Sequence, residues 1–191
     1  MTNNESNLAI VEFKSIAMGI YVTDYMLKEA SVSIVLATTL CPGKYLTIVE
    51  GDVSAVEKAL NVANQTGMKE VYSSQAVNAI KKEVTLALSG LVRQTLSDSM
   101  AIIESQNMAK LIGAADISIE TSDVEIVELR LGKGCGVNSF CIITGNLTAV
   151  EEAVKSSVSF LKDEGAMIAY RILKNPDRDI LRWLEPGKCM C

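Results

Sequence analysis

Laid on its own second half, this chain repeats itself. Leu8-Ala9-Ile10-Val11-Glu12 reads against Met100-Ala101-Ile102-Ile103-Glu104, and the same register sets Asp24 on Asp116 and Val32-Ser33-Ile34-Val35 on Val124-Glu125-Ile126-Val127. After a two-residue insertion in the second copy, Gly51-Asp52-Val53-Ser54-Ala55-Val56-Glu57 reads against Gly145-Asn146-Leu147-Thr148-Ala149-Val150-Glu151. A repeat of this length makes each copy one small structural unit. The 191 residues therefore divide into two modules, 1–96 and 97–191, joined between Gly90 and Ser99 without a low-complexity linker.

Periodicity gives each copy the same order of elements. A strand at 8–15 or 100–107 precedes a helix at 18–30 or 109–121. Two strands follow, at 32–40 and 45–50 in the first copy and at 124–132 and 139–144 in the second. Between them lie Cys41-Pro42-Gly43-Lys44 or Gly132-Lys133-Gly134-Cys135-Gly136, whose Gly and Pro mark turns. Asp52 or Asn146 then caps an amphipathic helix carrying Val53, Val56, Ala59 and Leu60, or Leu147, Val150, Ala153 and Val154. A closing strand at 69–73 or 166–173 completes the module, and the first copy adds a helical segment at 76–88. The expected fold class is α+β: two tandem ferredoxin-like modules of β-α-β-β-α-β order with additional short helices.

Composition narrows the chemistry. A net charge of −5 without long runs of one sign gives no grip for nucleic acid or an anionic membrane. The opening MTNNESN lacks the basic-then-apolar pattern of an export signal, and no run approaches the roughly 20 apolar residues of a membrane span. A cytoplasmic location is expected. Five cysteines then read as reduced thiols open to metal, while the absence of histidine removes the commonest general base and the mixed Cys/His zinc sites. No constellation for catalysis emerges, so no enzymatic activity is expected.

Val11-Glu12, Asp24-Tyr25-Met26-Leu27-Lys28-Glu29-Ala30, the Cys41-Pro42-Gly43-Lys44 turn and Gly51-Asp52-Val53-Ser54-Ala55-Val56 resemble the bacterial microcompartment shell domain, here doubled over nearly the whole chain. The resemblance implies a structural shell protein, a pseudohexameric homotrimer around a central pore, with other microcompartment shell proteins as partners. The Cys41-Pro42-Gly43-Lys44 turn is similar to that of tandem members from propanediol-utilisation compartments. This implies a 4Fe-4S cluster shared by three subunits through Cys41, for electron transfer or gated transport, and an encapsulated or cytosolic redox protein as a further partner. Lys28 matches the family's tile-edge lysine, whereas Glu120 stands at that place in the second copy. Asn175-Pro176-Asp177 replaces the family's usual Arg-Pro, so flat assembly is expected to need mixed partners.

Each candidate has a plainer reading beside it. Cys41 is a ligand or exposed pore thiol if its turn is a loop tip, and a small buried hydrophobe otherwise. Gly43 would allow close backbone approach to the axis, and Lys44 would lend charge near a cluster or be a solvated lysine. Counting back from Gly145 sets Cys135 where Cys41 stands relative to Gly51, so Gly134, Cys135 and Gly136 form a second pore loop whose thiol is a ligand or unligated. Cys141, inside Phe140-Cys141-Ile142-Ile143, reads as core, Trp183 as terminal packing, and Cys189 and Cys191 as a tail pair with no role. The competing function is a regulatory tandem ferredoxin-like module that binds a small metabolite.

Overall fold

The computed structural model describes residues 5–91, 97–132, 138–177 and 179–180. The chain divides into two compact units, Met1–Thr85 and Leu86–Cys191. In the first, β1 (Glu5–Phe13), α1 (Ile16–Glu29), β2 (Ser33–Leu40), β3 (Lys44–Gly51), α2 (Val53–Gly67) and β4 (Val71–Lys81) follow one another, and α3 (Lys82–Leu88) comes next. The second repeats the order as β5 (Ser99–Ser105), α4 (Met108–Thr121), β6 (Val124–Arg130), β7 (Ser139–Gly145), α5 (Leu147–Asp163) and β8 (Met167–Lys174).

The strand orders are β2-β3-β1-β4 and β6-β7-β5-β8, with every pair antiparallel. This is the expected ferredoxin-like arrangement. Registers agree as well: Ile10 faces Ile48 in the first sheet, and their repeat partners Ile102 and Ile142 face each other in the second.

Local chemistry sets the helix starts. Ser15 accepts a hydrogen bond from the Met18 N–H at 3.4 Å, ending β1 at Phe13 and starting α1. Asn107 does the same for α4 from Lys110 at 3.0 Å, and Asn146 for α5 from Ala149 at 2.9 Å. Asp52 occupies the cap position of α2 without a side-chain cap bond.

In the first unit, alternate residues Ala9, Val11 and Phe13 of β1 and Tyr45 and Val49 of β3 cluster with Val22 and Met26 of α1 and Val56, Ala59 and Ala63 of α2. The other alternation, Leu8, Ile10, Leu46 and Ile48, is buried too. These strands therefore read as continuous apolar runs, and each large buried side chain contributes about 1.5–3 kcal/mol.

Two expectations change. The closing strand of the first copy runs to Lys81, not 73, and helix begins at Lys82, not 76. The reason is pairing: Leu8 faces Val77, Ser6 faces Ile80 and Glu5 faces Lys81, which satisfies backbone groups along β1 that a helix at 76 would leave open. A bulge at Ala79 (φ 56°), whose N–H donates to Asn7 Oδ1 at 3.1 Å, absorbs the register shift. Asp179 and Ile180 are helical, while Leu181, Trp183, Leu184, Cys189 and Cys191 lie outside the described residues.

Candidate functional site

The β2–β3 hairpin closes on the pair Leu40 and Lys44, leaving Cys41, Pro42 and Gly43 as a three-residue turn. The Cys41–Pro42 peptide bond is cis, and Gly43 has φ +70°, a region that glycine enters without the steric cost a Cβ brings. A Cβ at Gly43 would meet nothing within 4 Å, so space is open beside this residue. Cys41 is a free, exposed thiol. Its sulfur is available to an external metal or partner, and the buried-hydrophobe reading does not apply.

Lys44 leaves this turn in another direction. Its Nζ lies 2.7 Å from Glu12 Oε1 and 3.4 Å from the centroid of the Tyr72 ring. The Glu12 side chain is only 7% exposed and that of Lys44 21%. The ammonium is thus engaged by a carboxylate and a ring rather than free beside the thiol. Periodicity offered one signal for this: Glu12 is a charge inside an apolar strand, which requires a partner.

In the second copy, Gly132 (φ 57°) follows β6, and its N–H donates to Ser139 Oγ at 3.0 Å. Gly134, Cys135 and Gly136 lie outside the described residues. Cys141 is fully buried, and burial, with the Glu128 carboxylate adding, pushes its thiol up to about 12. Glu128 itself pairs with Arg130. Cys141 is core, as its apolar surroundings in the sequence indicate. Among the described residues, no three Cys, Asp or Glu side chains of the chain gather into a metal site.

Lys28 sits in the last turn of α1, exposed, with Nζ 2.5 Å from Asp24 Oδ2 and 5.9 Å from the centroid of the Tyr25 ring. The Asp24 carboxylate raises the Lys28 ammonium above its ordinary value. Tyr21 donates a hydrogen bond to the Tyr25 hydroxyl at 3.2 Å. Periodicity did not single out the apolar surface beside them: Ile16, Ile20 and Leu27 are exposed on α1, Ile20 by 54%. At the matching place on α4, Ile112 is fully buried. Asn175 (φ 48°) ends β8 with its N–H bonded to Asp98 O at 2.8 Å.

No helix among the described residues is long and apolar enough to cross a membrane. The BMC domain matches residues 7–85 and 99–176. The bacterial microcompartment shell protein PduT of Citrobacter freundii is 28% identical over 180 residues, covering 94% of this chain and 98% of its own. The crystal structure of a microcompartment protein from Desulfitobacterium hafniense DCB superposes with a TM-score of 0.89 at 32% identity, covering 93% of this chain and 99% of that one. A fused permuted hexameric shell protein of the RMM microcompartment shares the fold at a TM-score of 0.57 and 18% identity. Each repeat thus carries one BMC domain, and the chain belongs to the BMC domain family as a tandem bacterial microcompartment shell protein.

Proposed function

We propose that three copies of this shell protein close a ring of six modules around a central pore, and that the three Cys41 thiolates there hold one 4Fe-4S cluster for electron transfer or gated transport across the shell. A chain with two similar modules forms a nearly sixfold tile from a closed threefold ring. The observation that carries the reading is the exposed Cys41 thiol at the tip of the β2–β3 turn. One chain offers one thiolate there, and threefold symmetry makes three. The donor chemistry suits iron and sulfide, which thiolates bind, and three protein ligands leave one iron open to water, a small ligand or a partner. When bound, the cluster supplies a one-electron centre, and this chain's own residues hold and orient it.

The shell role follows from relatives that are structural shell proteins. It makes other microcompartment shell proteins the lateral partners and the microcompartment shell the location. An encapsulated or cytosolic redox protein would exchange electrons with the pore.

Anaerobic purification, with a mass measurement and iron and sulfide counts, tests the reading. A trimer with about one cluster is expected. Cys41→Ala should give colourless trimers, while Cys135→Ala keeps most of the iron. A monomer, a metabolite-responsive dimer, or full iron in Cys41→Ala would overturn it.

A further inference from the structure

The first-repeat turn is braced by side chains that cross three neighbouring strands, and two of the three matching positions of the second repeat, all among the described residues, carry other side chains. Lys44 opens β3, Glu12 lies on β1, Tyr72 lies on β4, and these strands are adjacent in the sheet. Lys44 Nζ reaches both the Glu12 carboxylate, at 2.7 Å, and the face of the Tyr72 ring, at 3.4 Å to its centroid.

Strand registers identify the matching positions. Glu12 faces Leu46 and Ser73, and Glu104 correspondingly faces Phe140 and Ala169. Lys44 precedes Tyr45, which faces Phe13, and Asn138 precedes Ser139, which faces Ser105. Tyr72 follows Val71, and Ile168 follows Met167, each at the corresponding register shift. The second copy thus keeps the carboxylate but has Asn138 and Ile168 in place of the amine and the ring. Asn138 is exposed.

A nearly buried carboxylate must be paired, yet a buried ion pair adds little net stability over an apolar isostere. Its contribution is geometric. The brace ends on Lys44, whose pairing with Leu40 closes the turn three residues beyond the thiol. A ligand set assembled from three chains needs each thiolate held to within about 0.5 Å, which a turn on a rigid base provides.

We infer that Lys44 is a positioning residue for Cys41: through Glu12 and Tyr72 it holds the first-repeat turn in one conformation, and so fits that turn to share a metal cluster with two other chains. This rests on the reading of Cys41 as the pore thiol.

The test compares Lys44→Met, Lys44→Arg and the double variant Glu12→Gln/Lys44→Met in the full chain. Hydrogen exchange at Leu40 and Lys44, the pair that closes the turn, is measured in cluster-free protein, and iron content with the electron paramagnetic resonance of the reduced cluster in loaded protein. Lys44→Met should speed exchange at the turn by about tenfold, lose most of the iron and broaden the resonance, whereas Lys44→Arg keeps all three near wild type. The double variant removes the uncompensated charge, so thermal stability returns, but exchange and resonance stay altered. If the double variant recovered wild-type exchange and resonance, Lys44 would serve only to neutralise Glu12, and the inference would fall. Loss of turn protection in Lys44→Arg to the level of Lys44→Met would sink it too. Wild-type protein without iron would overturn the cluster reading alone, since the exchange rates test the brace by themselves.

Discussion

A β-carbon on Gly19 would stand 2.5 Å from Cδ1 of Tyr45, and 2.7 Å from its Cβ. The ring of β3 therefore lies against the bare backbone of α1. In the second copy, the matching residues are Leu111 and Ser139, both fully buried. The exchange recurs at Gly67, where a Cβ would come within 3.3 Å of the Phe13 ring, and whose repeat counterparts are Leu161 and Ser105, again buried. The two copies thus exchange sizes at matching positions, strand aromatic with helix glycine in the first and helix leucine with strand serine in the second.

Gly19→Ala should destabilise the first unit even though alanine is the better helix former by about 1 kcal/mol. Overpacking costs about 1–3 kcal/mol. Tyr45 cannot swing clear, because its Cβ is among the clashing atoms. Denaturant unfolding should show the net loss. Gly19→Leu combined with Tyr45→Ser should be more stable than Gly19→Leu alone, and equal stability of the two would show that these sites are not coupled.

Thr47 and Cys141 share one position in the two repeats, and both are fully buried. Thr47 Oγ1 has no hydrogen-bond partner among the described residues. Thr47→Val removes that unpaired hydroxyl at nearly constant volume and should raise stability by about 1 kcal/mol. A drop in the unfolding midpoint would count against the unpaired hydroxyl.

Burial lifts the Cys141 thiol from 9.0 to about 12. Above pH 9 the unfolded chain releases this proton and the folded chain keeps it, so the folded state binds more protons and stability falls as pH rises. The full contribution is present below about 9 and is lost towards about 12, with a slope of at most about 1.4 kcal/mol per pH unit. Cys141→Val should flatten that alkaline slope. In native, cluster-free protein at pH 8, iodoacetamide should alkylate Cys41 and spare Cys141 until denaturant is added, as peptide mass spectrometry would show.

Lys28→Glu should impair lateral assembly and leave the proposed trimer intact. It sets a second carboxylate beside Asp24 on an exposed helix turn, where charge alters contacts with neighbours more than it alters the fold. Negative-stain microscopy for sheets, with sedimentation for the trimer, distinguishes the two. Sheets as extensive as wild type would remove Lys28 from the tile edge.

The sequence by itself determined the doubled module, the β-α-β-β-α-β order, the caps at Asn146 and the core position of Cys141, because periodicity, capping chemistry and repetition are local or self-referential signals. It also marked Cys41-Pro42-Gly43 as a turn. Tertiary structure decided what depends on strands meeting across long separations. Residues 74–81 continue β4 because β1 pairs with them, although their apolar spacing suits a helix. Lys44 binds Glu12, 32 residues away in sequence, only because β3 and β1 lie side by side. Helices α1 and α4 have similar patterns, yet Ile20 is exposed and Ile112 buried. Periodicity reports which side of an element is apolar, and only the assembled fold determines what covers it.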